Sequence, residues 1–148
     1  MDLLNTANLP PESHLIQCCC REAARADLVA LNLDQLRVAL AESFHGHIIA
    51  LVEEIRTSGR LLRDLADKSQ VHAARASIVA SYLDVVLPCL CRTLADIAAF
   101  YEDKTVSREI RWRKMYNKMT EEAGGLALPQ RFVLYNFFLS MLNQLLTR

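Results

Sequence analysis

The sequence predicts an all-α protein, an elongated antiparallel helical bundle of about four to five helices with two long central helices. Hydrophobic residues make up 52% of the 148 residues while Gly and Pro number only four each, which favours long uninterrupted elements. Apolar side chains recur at alternating three- and four-residue intervals, a spacing that forms one stripe on a helix and that no strand can use. Polar breaks between these stretches are few and short, and a chain of this length is expected to build one core, not two.

Residues 1–11 read as a flexible lead, because Leu9-Pro10-Pro11 blocks a helix. Residues 12–148 read as one helical bundle domain. The first helix is expected from Glu12 toward Leu31, through Cys18-Cys19-Cys20, with a weak point at Arg21 to Arg25 where the apolar stripe fades. Asn32 or Asp34 can cap the second helix by accepting hydrogen bonds from its unpaired amides. That helix carries the clearest pattern in the chain: Phe44, Ile48, Leu51, Ile55, Ser58, Leu62 and Leu65 are spaced 4, 3, 4, 3, 4 and 3 apart. Arg56, Arg60, Arg63 and Asp64 fall off the stripe. The spacing predicts a helix from Asp34 to Ala66, on the order of 50 Å long at ~1.5 Å per residue.

Asp67-Lys68-Ser69-Gln70 reads as a short polar break, and so short a connection predicts that the helices on either side pack as antiparallel neighbours. The third helix, from Val71 to Tyr101, carries two apolar stripes. One holds Ile78, Tyr82, Val85, Cys89 and Ile97, the other Val79, Leu83, Val86, Leu90 and Leu94, so this helix is expected at the centre, covered on two sides. Pro88 removes one of its backbone donors and opposes the carbonyl of Asp84, which predicts a kink. Ser107 can cap a fourth helix running to about Ala123, stopped by Gly124-Gly125. The last helix is expected to start near Pro129. Phe132, Val133, Leu134, Phe137, Phe138, Met141 and Leu145 surround it with apolar surface, so it is either deeply buried or a contact surface. Thr147-Arg148 carries no helix stop signal, which reads as a fragment of a longer protein.

Lys plus Arg and Asp plus Glu both total 17, so no global charge draws the chain to nucleic acid or membrane. Little net charge with so much apolar content favours self-association or a permanent partner. One local anomaly stands out. Lys104 to Lys118 holds six basic residues against Glu109 alone. Within it, Arg108, Arg111, Lys114 and Lys118 recur at helical intervals and form a cationic face that suits phosphates, anionic lipid or an acidic partner. The alternative is a solvated helix surface paired with Glu102, Asp103, Glu121 and Glu122. Trp112 stands among these arginines either as a core aromatic or as a contact anchor.

Five cysteines, an odd count clustered as Cys18-Cys19-Cys20 and Cys89-x-Cys91, suit reduced thiols in a cytoplasmic protein better than a secreted disulfide framework. Acidic Asp2 and two prolines stand where a signal peptide would have a basic start and an apolar stretch. The apolar stretches Ile78 to Leu83 and Val85 to Cys91 fall short of the ~20 residues that span a bilayer. Neighbouring cysteines on a helix point about 100° apart, so neither cluster suits one metal ion, and neither has zinc spacing. Glu42-x-x-His45 has the spacing of one half of a di-iron site, without the second half. No nucleophile elbow, phosphate loop or dinucleotide fingerprint is present, so neither an enzyme nor a cofactor is expected.

The segments Leu87-Pro88-Cys89-Leu90, Tyr101-Glu102-Asp103, Arg111-Trp112-Arg113-Lys114-Met115-Tyr116 and Leu128-Pro129-Gln130-Arg131-Phe132 resemble the helical N-terminal part of uncharacterised fungal multidomain proteins. The resemblance covers roughly the C-terminal half and implies a helical fold without assigning an activity.

These readings converge on a non-catalytic scaffold or adaptor domain that binds a protein, with a homodimer as one form. Its expected contact residues are Arg108, Arg111, Trp112, Lys114, Lys118, Phe137 and Met141. The rival is a peripheral membrane module that sets the Arg108 to Lys118 face on anionic lipid, with acylation of Cys18 to Cys20 as a further anchor. Nucleic acid ranks third.

Overall fold

A computed structural model describes residues 11–122 and 128–147, and among them there are five α-helices and no strand. They are α1 (Pro11–Val38), α2 (His45–Val71), α3 (Ala73–Glu102), α4 (Arg108–Glu122) and α5 (Leu128–Thr147), with a single 3-10 turn at Glu42–Phe44 before α2. The expected flexible lead and the Gly124-Gly125 stop lie outside the described residues.

The first helix does not break. Leu15, Glu22, Val29 and Leu36 recur every seven residues, as do Cys19, Ala26 and Leu33, and all seven are buried. This is one unbroken heptad seam. The apolar stripe fades near Arg21 because Glu22 occupies a seam position. The predicted cap at Asn32 or Asp34 is therefore corrected: both lie inside α1, which ends only at Val38. Cap-type residues are tolerated there because each has another partner. Asn32 Nδ2 donates to the Tyr101 hydroxyl at 2.8 Å, and Arg37 Nε donates to Asp34 Oδ1 at 2.9 Å.

The chain then turns over residues 39–44, and the His45 ring donates from Nε2 to the Leu40 carbonyl at 2.9 Å. In α2 the predicted stripe is buried from Ile48 through Leu65, while Arg56, Arg60 and Arg63 face solvent. The stripe continues to Ser69, whose hydroxyl bonds the Leu65 carbonyl one turn back at 2.6 Å, so Asp67 to Gln70 stays helical and the break falls at His72.

That shift changes the packing. Antiparallel helix pairs are joined by loops of 2–5 residues. One non-helical residue, with φ −112° and ψ 51°, is too short for α2 and α3 to lie side by side. They stand diagonally instead, hardly touching, and the order around the bundle is α1, α2, α5, α3. The expected zipped hairpin of residues 34–101 is thus corrected to a ring of four helices in which α1 packs with α2 and α3 with α5, and in which α2 also packs along α5 and α1 along α3. The Asp27–Arg63 ion pair and the close passage of Gly59 past Ala23 tie the first pair, and Thr93–Tyr135 at 2.9 Å ties the second. Pro88 lies within α3, on an exposed position. α4 closes one end of the bundle, inserting Trp112 and Met115 into the core.

Ser107 caps α4 as expected, its hydroxyl accepting from the Ile110 amide at 3.3 Å. The last helix begins at Leu128, next to the expected Pro129. It is neither wholly buried nor free. Phe132, Asn136, Leu139, Asn143 and Leu146, spaced 4, 3, 4 and 3, face the core, and the opposite side is apolar and exposed.

Candidate functional site

A groove of about 500 Å³ runs between α3 and α5, lined by Tyr82, Val85 and Val86 on one side and by Phe138, Met141, Leu142, Gln144 and Leu145 on the other. Among the described residues its polar groups are the Gln144 amide and the Tyr82 hydroxyl, and none of its lining residues belongs to α4. The walls are set by helical phase. In α3 the core takes Ala76, Val79, Leu83, Leu87 and Leu90, which leaves Ile78, Tyr82 and Val85 outward. The expectation that α3 is covered on both sides is therefore corrected for its first half: one stripe meets the core and the other meets solvent. In α5 the heptad facing α2 leaves Leu134, Phe137, Phe138 and Met141 outward.

Two polar ties hold the groove walls in register. Thr93 and Tyr135 share a hydroxyl hydrogen bond at 2.9 Å, and Arg75 donates from Nη1 to the Leu145 carbonyl at 3.4 Å. Phe137 packs edge-on against Phe138, with ring centroids 6.1 Å apart and planes at 77°. Phe137 therefore projects beside the groove, 60% exposed, instead of filling it.

The seven expected contact residues separate into distinct places. Phe137 and Met141 belong to the exposed apolar strip, Met141 lining the groove itself. Arg108 and Lys114 are exposed on α4. Arg111 is half-buried and acts within the fold: its guanidinium donates to the Tyr101 carbonyl at 2.6 Å and to the Val106 carbonyl at 3.2 Å, fastening the end of α3 to the start of α4. Trp112 is 3% exposed, so its role as a surface anchor is corrected to that of a core side chain. The side chain of Lys118 lies outside the described residues. Arg113, also in the basic segment, pairs with Glu109 at 2.8 Å and stacks over the Phe44 ring at 5.4 Å. The cationic face is thus partly used to seat α4 on the bundle.

Tyr82, Val85 and Phe138 were not singled out as contacts from sequence. The signal for Tyr82 and Val85 was present in the first apolar stripe of the third helix, and that for Phe138 in the apolar surface that surrounds the last helix.

Elsewhere, α1 buries two titratable side chains, Glu22 and Cys19. Buried Glu22 has Arg21 Nε 3.1 Å from one oxygen and Arg25 Nε 3.3 Å from the other, the second contact an ion pair without hydrogen-bond alignment. Burial, reinforced by Cys18 and Cys20, pushes the Cys19 thiol up to about 12. Cys20 and Cys89 are exposed, and all five cysteines are unpaired. Among the described residues no three His, Cys, Asp or Glu side chains gather as a metal site. One helix among them, α3, is long and apolar enough to cross a membrane, with 28% of its most apolar stretch buried in the bundle. Comparison of the chain with protein-family models, with curated proteins and with solved structures returns no match.

Proposed function

We propose that this chain is a non-catalytic helical protein-interaction domain, a scaffold or adaptor, that docks a protein on the outward faces of α3 and α5. The observation that carries this reading is the exposed apolar strip of these two helices: Tyr82, Val85, Phe138 and Met141 line the groove, and Ile78, Leu134 and Phe137 are exposed on the same helices. Soluble monomers rarely leave contiguous apolar patches above about 300–600 Å² without a use for them. Paired helix faces flanking a groove are one recurring way to hold a helical partner. Five unpaired thiols support a reducing, cytoplasmic setting.

The test is affinity capture with the wild-type chain, with Met141→Glu, and with Arg108→Glu/Lys114→Glu. The reading expects specific protein capture that Met141→Glu abolishes and the double charge reversal preserves. Capture that is insensitive to Met141→Glu contradicts it.

A second reading, docking on anionic lipid, draws on Arg108 and Lys114, both exposed on α4. Co-sedimentation with phosphatidylserine vesicles that the double charge reversal abolishes would support it. Binding that ignores lipid charge would exclude it.

A further inference from the structure

We infer that the occupant of the α3–α5 face is a second copy of this chain, in a twofold dimer that packs the face against itself. This inference rests on the interaction-domain reading above and names its partner.

Area is the first support. The seven strip residues are 48–71% exposed. With ordinary side-chain areas this amounts to roughly 800 Å² of apolar surface, about what each partner contributes to a stable interface and more than the largest patch of a typical monomer. A docking site for one short peptide would need less.

Charge is the second support. A twofold axis brings equivalent residues of the two copies together, so any charge near the axis meets its own sign. The strip residues carry no charge, and among the described residues the groove lining is uncharged, its polar groups being the Gln144 amide and the Tyr82 hydroxyl. The cationic residues Arg108 and Lys114 sit on α4 and are not among the residues that line the groove. Copies can therefore approach through the strip without like-charge repulsion from its own residues, while half-buried Arg75, beside one groove wall, is turned to the Leu145 carbonyl of the same copy.

Shape is the third support. An isologous contact requires one surface to hold both a projection and the recess that receives it. Here Phe137 stands out beside a groove of about 500 Å³ with Tyr82, Val85 and Met141 in its walls. In the dimer, Phe137 of each copy enters the groove of the other.

Sedimentation equilibrium on the wild-type chain, Phe137→Ser, Val85→Glu and Arg108→Glu/Lys114→Glu tests this, with far-ultraviolet circular dichroism confirming that each variant remains folded. The expected result is a wild-type mass twice the 16.7 kDa of one chain. Phe137→Ser and Val85→Glu should each raise the dissociation constant by more than about thirtyfold, the loss typical of an interface anchor. The double charge reversal should dimerise like wild type. A monomer at all concentrations overturns the inference, as does a dimer that tolerates both Phe137→Ser and Val85→Glu. If the chain is monomeric yet Met141-dependent capture of a different protein persists, the second copy is excluded while the interaction-domain reading stands. Loss of both removes the two together.

Discussion

Asn136 and Ser58 meet in the core where α5 crosses α2. The Ser58 hydroxyl donates to Asn136 Oδ1 at 2.6 Å, and Asn136 Nδ2 donates to the Glu54 carbonyl at 2.9 Å. Both side chains occupy heptad positions that otherwise hold Leu, Ile or Phe. One heptad later, Asn143 Nδ2 donates to the Leu61 carbonyl at 3.2 Å. An amide aimed at a backbone carbonyl of the facing helix satisfies its hydrogen bonds in one register only, as polar seam residues do in coiled coils. Since α5 is apolar almost all round, these asparagines decide which of its faces points inward and so which faces the groove.

Asn136→Ala is accordingly expected to cost about 1–3 kcal/mol, because it removes the shorter of two bonds made by a buried hydroxyl and leaves Ser58 only the Glu54 carbonyl at 3.2 Å. Asn136→Leu combined with Ser58→Ala replaces both polar partners and should recover most of that loss. Urea unfolding measures both. A double variant no more stable than Asn136→Ala would show that the pair is not coupled.

Gly59 marks a close passage of α1 and α2. A Cβ added there meets Asp27 Oδ1 at 3.1 Å and the Ala23 carbonyl at 3.6 Å. Gly59→Ala is expected to change stability by less than about 1 kcal/mol, because the gain in helix propensity offsets a small shift of Asp27. Gly59→Leu should destabilise by about 1–3 kcal/mol or more through overpacking. Thermal unfolding of the two variants checks the difference, and equal midpoints would contradict the close crossing.

Arg111 bridges two carbonyls with one planar fork, a geometry that a single ammonium reproduces poorly. Arg111→Ala should cost about 1–3 kcal/mol, with Arg111→Lys recovering little of it. Lys114→Ala, at an exposed position, should stay within about 0.5 kcal/mol. Chemical denaturation of the three proteins reads this directly. Similar losses for Arg111→Ala and Lys114→Ala would mean that the bridge contributes nothing.

The cysteines should separate by reactivity. Exposed Cys20 and Cys89 are expected to alkylate in the folded protein at mildly alkaline pH, while buried Cys19 stays unmodified, because the thiolate is the reactive form. Mass spectrometry of iodoacetamide-treated protein locates the adducts. The same burial has a pH consequence. The Cys19 thiol is raised from an ordinary 9.0 to about 12, so its contribution to stability is present below pH 9 and is lost as pH rises toward 12. A denaturation midpoint that falls over this range, and falls less in Cys19→Ala, fits that cause. No difference between the two would remove Cys19 from it.

The all-helical class and the helix-forming stripes were legible because period and composition act locally. Ile48 through Leu65 faces the core in the register its spacing predicts. What the sequence concealed was which stripe meets which neighbour. Glu22, Asn136 and Asn143 are polar residues at seam positions, and a search for apolar period alone passes over them. The pairing of helices followed from the placement of the break, and His72 carries no turn chemistry to mark it. The exposure of Phe137 and Met141 was legible because their helix had more apolar sides than one core can cover. Trp112 was ambiguous, since a Trp beside arginines reads equally as anchor or core, and only the packing of α4 against the bundle end decides it.

Hydrogen–deuterium exchange as a function of protein concentration tests the central claim, that the outward faces of α3 and α5 are a docking surface for a second copy. Peptides covering residues 78–89 and 133–145 should slow their exchange as concentration rises, while the exposed face of α4 around Lys114 stays constant. Exchange in those two segments that is independent of concentration, or slowing confined to α4, would contradict the account.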